Sequence, residues 1–588
     1  MKGVLNKFRK RNIQTNILHF TLVIFVVAVS VCLITGLFIN YLTLNRSVNQ
    51  FYNNSNLPNL WIETNQISTV DDSFYSSRFE YTKRYKFDSD FRVGSGVYQG
   101  EFLISSGKVS IPYIIDGERE KGCYVDKRFA EKYHFGLNHS SVYFDYTING
   151  ITKTFDFQIV GFITLAEDLI NDGDCVIFID ENLFLDELKS RFSDYENSDL
   201  SVINYNQILI TSEVDEFDVQ KIEAYYQNSE SKLERIYTKE QTDSFKSLQN
   251  EINIAGLMLW LFPMIFMVIA FLTVVSTISQ LTTKERYNIG LLKSLGIRNK
   301  QILSNYCGYG SFVCFFGAVL GLLIAPLIIP NMTFATFDNL YKLPRDEMVL
   351  TYPKELMIFM VIFSIFIGYF SAFLVIIRLI KKTPKECMFK PQKKGLKSRK
   401  IMKKMPTWLG CTLRNMKLNL ARTIMSIVSV MGCSLLILIG FGVENIMKKY
   451  EGNKGFYSLG VYSEIFKSFA IVLMILSIII LLMQIFRERE KEMSMLRIHG
   501  ESYLKIWGSV LLEVVVICLI SFTCSAILSF PVLLLNLNIF SINKYFSINF
   551  LGYLKTFLLL FFIIAFVSIF VLIKIYKLKL SELIKDSE

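Results

Sequence analysis

The sequence predicts an α-helical integral membrane protein, with eight transmembrane helices and an α+β extracytoplasmic domain between helices 1 and 2. Three observations predict this class. First, the 588 residues are 52% hydrophobic and 14% aromatic, with a mean hydropathy of +0.36, too apolar for a soluble protein of this size. Second, the formal charge of +11 divides unequally: residues 44 to 250 carry about −14 and the remainder about +25. Third, the basic residues of the remainder stand in short segments beside apolar runs. That is the positive-inside pattern of membrane proteins, and it disfavours a nucleic-acid groove.

About 20 apolar residues are needed to cross some 30 Å of hydrocarbon. Eight runs meet this length, at roughly 17–43, 252–280, 308–330, 355–380, 422–446, 464–486, 507–535 and 551–577. Lys2, Lys7, Arg9, Lys10 and Arg11 precede the first run, but its length and the lack of a small-residue cleavage site mark it as a retained span rather than a signal peptide. Basic residues at the N-terminus, at 281–307, 381–421 and 487–506, and in the C-terminal tail place both termini in the cytoplasm. The expected location is the cell membrane. The abundance of Lys, Asn, Ile and Phe points to an AT-rich bacterial genome.

The acidic segment then lies outside. Strand-like alternation at Ser141 to Tyr146, Thr154 to Val160, Val176 to Ile179 and Gln207 to Thr211 is punctuated by turn signals such as Asn149-Gly150. Helical patterning returns at Val219 to Gln227. From Lys239 a stretch without Pro or Gly enters the second span, so one helix of about 40 residues stands half outside the membrane as a stalk. Cys123 and Cys175 are the cysteines of this segment, and an oxidising exterior permits a disulfide between them. The remaining cysteines show no zinc-ligand spacing, and His19, His134, His139 and His499 form no HExxH motif, so no metal site is expected.

An internal repeat is the most informative feature. Glu285-Arg286-Tyr287-Asn288-Ile289-Gly290-Leu291-Leu292-Lys293-Ser294-Leu295-Gly296 is matched by Glu488-Arg489-Glu490-Lys491-Glu492-Met493-Ser494-Met495-Leu496-Arg497-Ile498-His499-Gly500. Aligning Gly296 with Gly500 pairs Leu292 with Leu496 and Lys293 with Arg497. Each copy is a charged extension of a span, then a short amphipathic piece, then a glycine suited to ending a helix in the left-handed conformation. Such a piece suits docking on a cytoplasmic partner.

The second copy and its weaker first counterpart resemble the coupling segment of FtsX-like permeases, the membrane subunits of MacB-type (type VII) ABC transporters. Leu413 to Thr423 is similar to that family's basic entry into the first span of a module. Tyr124 to Tyr133, continuing to Phe157-Gln158-Ile159-Val160-Gly161, is similar to its extracytoplasmic domain. The resemblance implies an ATPase-coupling role for Glu285, Arg286, Ile289, Gly290, Leu292, Lys293, Gly296, Glu488, Arg489, Glu492, Leu496, Arg497 and Gly500. It also implies two four-helix modules in one chain, mechanotransmission and two copies of a cytoplasmic ABC ATPase, with ATP and Mg bound by that partner rather than by this chain. Two departures stand out: Asn288 replaces the acidic residue that Glu492 supplies, and Tyr309 stands where the second module has Glu513.

The expected division is 1–43 for the N-terminal segment and first span, 44–250 for the extracytoplasmic domain and stalk, 251–380 for spans 2 to 4, 381–412 for a basic linker near anionic lipid, and 413–588 for the second module. No Gly-x-x-x-x-Gly-Lys-Ser/Thr loop occurs, so the chain is expected to be a transport subunit and not an enzyme. Glu513 is the carboxylate set well inside an apolar run. With no basic partner evident in the neighbouring spans, its expected role is a structural hydrogen bond. Gly317 and Gly321 fit close helix packing. The implied cargo is an amphipathic or peptide-like molecule, such as an antimicrobial peptide, a toxin or a lipoprotein. The alternative is a signalling subunit relaying ATPase state to an external cell-wall hydrolase or a sensor kinase.

Overall fold

The computed structural model describes residues 16–67, 69–118, 121–137, 140–148, 150–170, 175–192, 203–227, 231–344, 350–388, 420–449, 457–539 and 550–576, with a few single positions between. His139, Asn149, Cys411, Leu413 to Asn415 and most of the basic linker lie outside the described residues. Among the described residues, eight helices are long and apolar enough to cross a membrane. They are α1 (Ile17–Asn54), α6 (Asp243–Lys284), α8 (Asn299–Leu340), α9 (Lys354–Ile380), α11 (Leu420–Lys449), α12 (Tyr457–Ile498), α13 (Tyr503–Ile539) and α14 (Phe550–Tyr576).

At 1.5 Å per residue, the 38 residues of α1 and the 42 of α6 reach about 57 and 63 Å, well beyond the hydrocarbon thickness. The excess stands as a stalk at the end of the bundle that leads to the sheet. There Tyr52 and Phe245 lie 5.5 Å apart between ring centroids, and Phe51, Leu248 and Ile252 share one apolar cluster. Small residues set the closest helix contacts. A side chain at Gly317 or Gly321 of α8 would run into Val27, Ala28 and Cys32 of α1, and Gly310 and Gly368 meet backbone to backbone where α8 crosses α9.

Between α1 and α6 the chain builds a ten-stranded sheet in the order β10-β1-β9-β2-β3-β8-β5-β7-β4, with β6 pairing both β2 and β7. The strands are β1 (Leu60–Thr64), β2 (Tyr81–Val93), β3 (Gly96–Ser105), β4 (Tyr113–Gly117), β5 (Cys123–Asp126), β6 (Ser141–Ile148), β7 (Ile151–Thr164), β8 (Val176–Asp180), β9 (Gln207–Ile210) and β10 (Leu233–Thr238). Because β6 closes on β2 through Phe91–Phe144 and Arg92–Tyr143, strands 2, 3, 8, 5, 7 and 6 form a ring. Its interior holds Phe91, Phe102, Phe144, Phe155 and Phe157, all buried. Helices α2 (Thr69–Ser76), α3 (Lys127–Tyr133), α4 (Glu181–Arg191) and α5 (Glu216–Gln227) complete the region. Asp126 and Asp180 accept from the first free amides of α3 and α4 and so start those helices.

The proposed disulfide is corrected. Cys123 and Cys175 are free, buried thiols. The antiparallel β5–β8 register sets Cys123 opposite Ile179, four residues beyond Cys175, or about 13 Å along a strand. A disulfide needs Cα atoms within about 7 Å.

A buried ion pair holds β2 to the loop that follows β7. Arg84 forks onto Glu167, with Nη2 donating to Oε2 at 3.0 Å, while Trp61 Nε1 and Ser110 Oγ donate to the same carboxylate at 2.9 and 3.0 Å. Burial pushes the Glu167 carboxyl up, but Arg84 and these hydrogen bonds outweigh it and hold it below its ordinary value of 4.5. The carboxylate therefore contributes stability that is fully present above the unfolded value and is lost as pH falls through the lower folded value. Glu167→Gln should leave a buried guanidinium without its counter-charge and cost about 3–5 kcal/mol. Thermal unfolding of the purified protein, followed by intrinsic fluorescence, checks this. An unchanged melting temperature at pH 7 would remove the pair from the account.

Candidate functional site

Helix α6 breaks at Glu285, and the chain restarts as α7 (Arg286–Ser294). The second copy of the repeat instead continues α12 without a break to Ile498. Both copies end in the same way. Gly296 and Gly500 have φ of +80° and +87°, where a β-carbon is strained. Their amides donate to Lys293 O and Arg497 O at 3.1 Å, and the next amides, of Ile297 and Glu501, donate to Leu292 O and Leu496 O at 3.1 Å. This is a Schellman termination in each copy.

Most equivalent residues, 204 positions apart as Gly296 and Gly500 are, have matching burial, Leu292 and Leu496 being an exception. Ile289 and Met493 are both buried, and Leu291 and Met495 are both exposed. The first copy is clamped by the short helix α10 (Pro384–Met388) that follows α9. A side chain on Gly290 would meet Met388 and Cys387. Arg286 Nη2 donates to Glu386 O at 2.5 Å, and Lys293 Nζ donates to Ile380 O and Lys382 O at 2.8 and 2.6 Å, satisfying carbonyls at the end of α9.

The second copy is held differently. Glu513 is fully buried on α13 and binds two guanidiniums: Arg422 Nη2 of α11 at 2.7 Å and Arg489 Nη1 of α12 at 3.4 Å. Arg422 also pairs with Glu488, and Arg489 Nε lies 3.3 Å from Glu492. The expectation that Glu513 lacks a basic partner is thus corrected: alternating charges join three helices beside the second copy of the repeat. In the first copy, Glu285 occupies the place equivalent to Arg489, accepting from Tyr306 Oη at 2.6 Å. Tyr309, equivalent to Glu513, stacks on Phe20 with ring centroids 6.0 Å apart. One buried polar position has therefore been filled with opposite charges in the two copies.

Between the copies, equivalent residues touch each other. Phe262 and Phe466 stack with centroids 4.0 Å apart, and Gln280 Nε2 donates to Gln484 O at 3.4 Å. Contacts of α1 with α12 and of α11 with α6 are reciprocal. Residues meet their own equivalents only close to a two-fold axis.

Two segments, residues 260–384 and 464–580, match the model of the FtsX-like permease C-terminal family. The matches support an FtsX-like permease. No curated protein matches the chain. Each matched segment contains one copy of the repeat together with the two spans that follow it. The family is one of ABC-type permease subunits that generally partner with ABC ATPases and lack an ATPase motif of their own. With eight apolar helices, the chain is a multi-pass membrane protein.

The structure divides the residues that sequence reasoning singled out. In the first copy, Glu285, Ile289 and Gly290 are buried, Leu292 is half-buried against the core, and Arg286 and Lys293 bind α10 and the end of α9. Facing out instead are Tyr287, Leu291 and Leu295, and, in the second copy, Met495, Leu496 and Ile498. Arg497 lies over the Tyr503 ring at 3.0 Å from its centroid and caps Glu501 O. The i, i+4, i+8 spacing of Tyr287, Leu291 and Leu295 is the signal that finds the outward stripe, because α7 is apolar on two faces and only one of them enters the core.

Proposed function

We propose that the chain is the membrane subunit of a MacB-type ABC transporter that moves or extracts a peptide-like substrate by mechanotransmission. Two four-helix modules, α1/α6/α8/α9 and α11/α12/α13/α14, make a complete pseudo-dimeric membrane unit in one chain. The observation that carries this reading is the pair of glycine-ended helices at one end of the bundle, each presenting exposed apolar side chains and related by the axis through Phe262–Phe466 and Gln280–Gln484. Two ATPase subunits docking there, on the cytoplasmic side, would push on α6 and α12. Helices α1 and α6 run on as the stalk and deliver the movement to the sheet region outside.

Docking on a few apolar anchors makes the reading testable. Leu291→Asp with Leu295→Asp, and Met495→Asp with Leu496→Asp, combined in one chain, should reduce the ATPase that copurifies with the wild type by at least tenfold. The substituted side chains already face out, so the protein should still elute from size exclusion as the wild type does. Undiminished copurification and ATP turnover in the quadruple variant would reject the docking surface.

A further inference from the structure

The connector between α8 and α9 is built into the sheet region. Tyr341 forms a β-bridge with Ile170, and Lys342 N donates to Leu169 O at 2.7 Å. The Lys342 side chain, 1% exposed, reaches Asp168 at 2.7 Å and Asp126 at 3.0 Å. Burial pulls its ammonium down, but Asp168 and Asp126 outweigh it and hold it above the ordinary lysine range. Asp126 also accepts from Phe129 N at 3.0 Å and so fixes the start of α3. Tyr341 Oη reaches back to Glu251 of α6 at 3.2 Å. The sheet region is therefore anchored on four membrane helices rather than on the first two spans alone.

A cleft of about 370 Å³ opens between α3 and this connector, within the size range of small-ligand sites. Its lining is amphoteric. Lys127 and Arg128 bring positive charge, Glu131 and Asp346 bring negative charge, and Ile115 and Leu343 add apolar surface, while the Lys342 ammonium is enclosed by Asp126 and Asp168. The cations are engaged with carboxylates: Lys127 lies 3.3 Å from Asp116, and Arg128 lies 3.5 Å from Glu131. A purely anionic ligand such as a lipid phosphate would meet Glu131 and Asp346 unfavourably. A molecule with both a carboxylate and an ammonium, joined by an apolar body, matches all three kinds of surface, and an arginine fork suits the carboxylate.

We propose that this cleft binds a short zwitterionic peptide, and that occupancy is registered on α8 and α9 through Lys342. A peptide touching α3 and the connector together favours one spacing between the sheet region and these helices, because Lys342 and Asp126 already join the two walls. This rests on the peptide-substrate part of the reading above. No ATPase takes part in the test, so its failure leaves the docking reading standing.

The test is calorimetric titration of the full chain in nanodiscs with dileucine, with its N-acetylated, C-amidated counterpart, and with a short-chain phosphatidylglycerol. Dileucine should bind saturably, the other two at least tenfold more weakly, and amide exchange at 341–344 should slow when dileucine is present. The double variant Lys127→Gln/Arg128→Gln should keep the wild-type melting temperature and bind dileucine at least tenfold more weakly. The proposal is overturned by any of three results: equal binding of the blocked peptide or the lipid, undiminished binding by the double variant, or no saturable dileucine binding below about 10 mM, a weak-affinity limit.

Discussion

Replacing Glu513 with alanine is expected to destabilise the second half of the membrane bundle by about 3 kcal/mol or more and to uncouple ATP turnover from it. The carboxylate is fully buried and joins Arg422 and Arg489, so its removal leaves two guanidiniums in an apolar setting with only Glu488 and Glu492 to hold them. Breaking one member out of a buried ionic group commonly costs about 3–5 kcal/mol, because the remaining charge stays desolvated. Here Glu492 is 61% exposed on its side chain and Glu488 28%, so neither replaces a carboxylate seated between α11, α12 and α13.

A second variant separates positioning from mere stability. Replacing the triad with apolar residues, Arg422→Met, Arg489→Met and Glu513→Leu, removes the buried charges together and leaves Glu488 and Glu492, 28% and 61% exposed, to water; it should recover most of the lost stability, as buried ionic groups exchanged for packed apolar ones often do. If the ionic chain sets the angle at which α12 presents Met495 and Leu496, the triple variant should melt near the wild type yet show ATP turnover in the complex reduced about tenfold. Turnover at the wild-type level in the stable triple variant would limit Glu513 to a structural part.

The spans were legible because an apolar run of about 20 residues has few other uses. The strand at Val176 and the stalk helix entered from Lys239 were legible for similar reasons of uninterrupted pattern. The long β2–β3 hairpin was not. Tyr81 to Val93 carries Lys83, Arg84, Lys86, Asp88, Asp90 and Arg92; exposed and covered side chains alternate only from Asp88 onward, while 81–87 are half-buried except for Arg84, which is buried, so the first half shows no apolar face. The partner of Glu513 was hidden for another reason. Arg422 lies 91 residues away, at the very start of a span, where it reads as an interfacial anchor. Only packing brings it onto α13. The outward stripe of α7 was in plain view, but a helix with two apolar faces does not say which one the core takes. The Cys123–Cys175 pairing failed on register, which depends on how β5 lies against β8 and is not written in either strand alone.

Excising the sheet region should abolish the biological output while sparing basal ATP turnover. The two stalk helices approach each other at Tyr52 and Phe245, so residues 57–238 can be replaced by a short Gly/Ser linker without separating α1 from α6. The phenylalanine-filled ring of strands has its own core, distinct from the apolar core of the membrane helices, which supports its removal as a unit. The excision strips Lys342 of Asp126 and Asp168, and the variant therefore also carries Lys342→Thr to avoid an unpaired cation in the connector. Both Schellman-ended segments remain, so ATPase copurification and basal hydrolysis should stay within about twofold of the wild type, since the exposed apolar side chains proposed to carry docking are untouched. Stimulation of turnover by substrate, and the export or resistance phenotype, should vanish, because the movement of α1 and α6 would no longer reach anything beyond the membrane. Full retention of the phenotype in a variant that is stable and binds its ATPase would place the substrate path among the eight helices and reject transmission through the stalk.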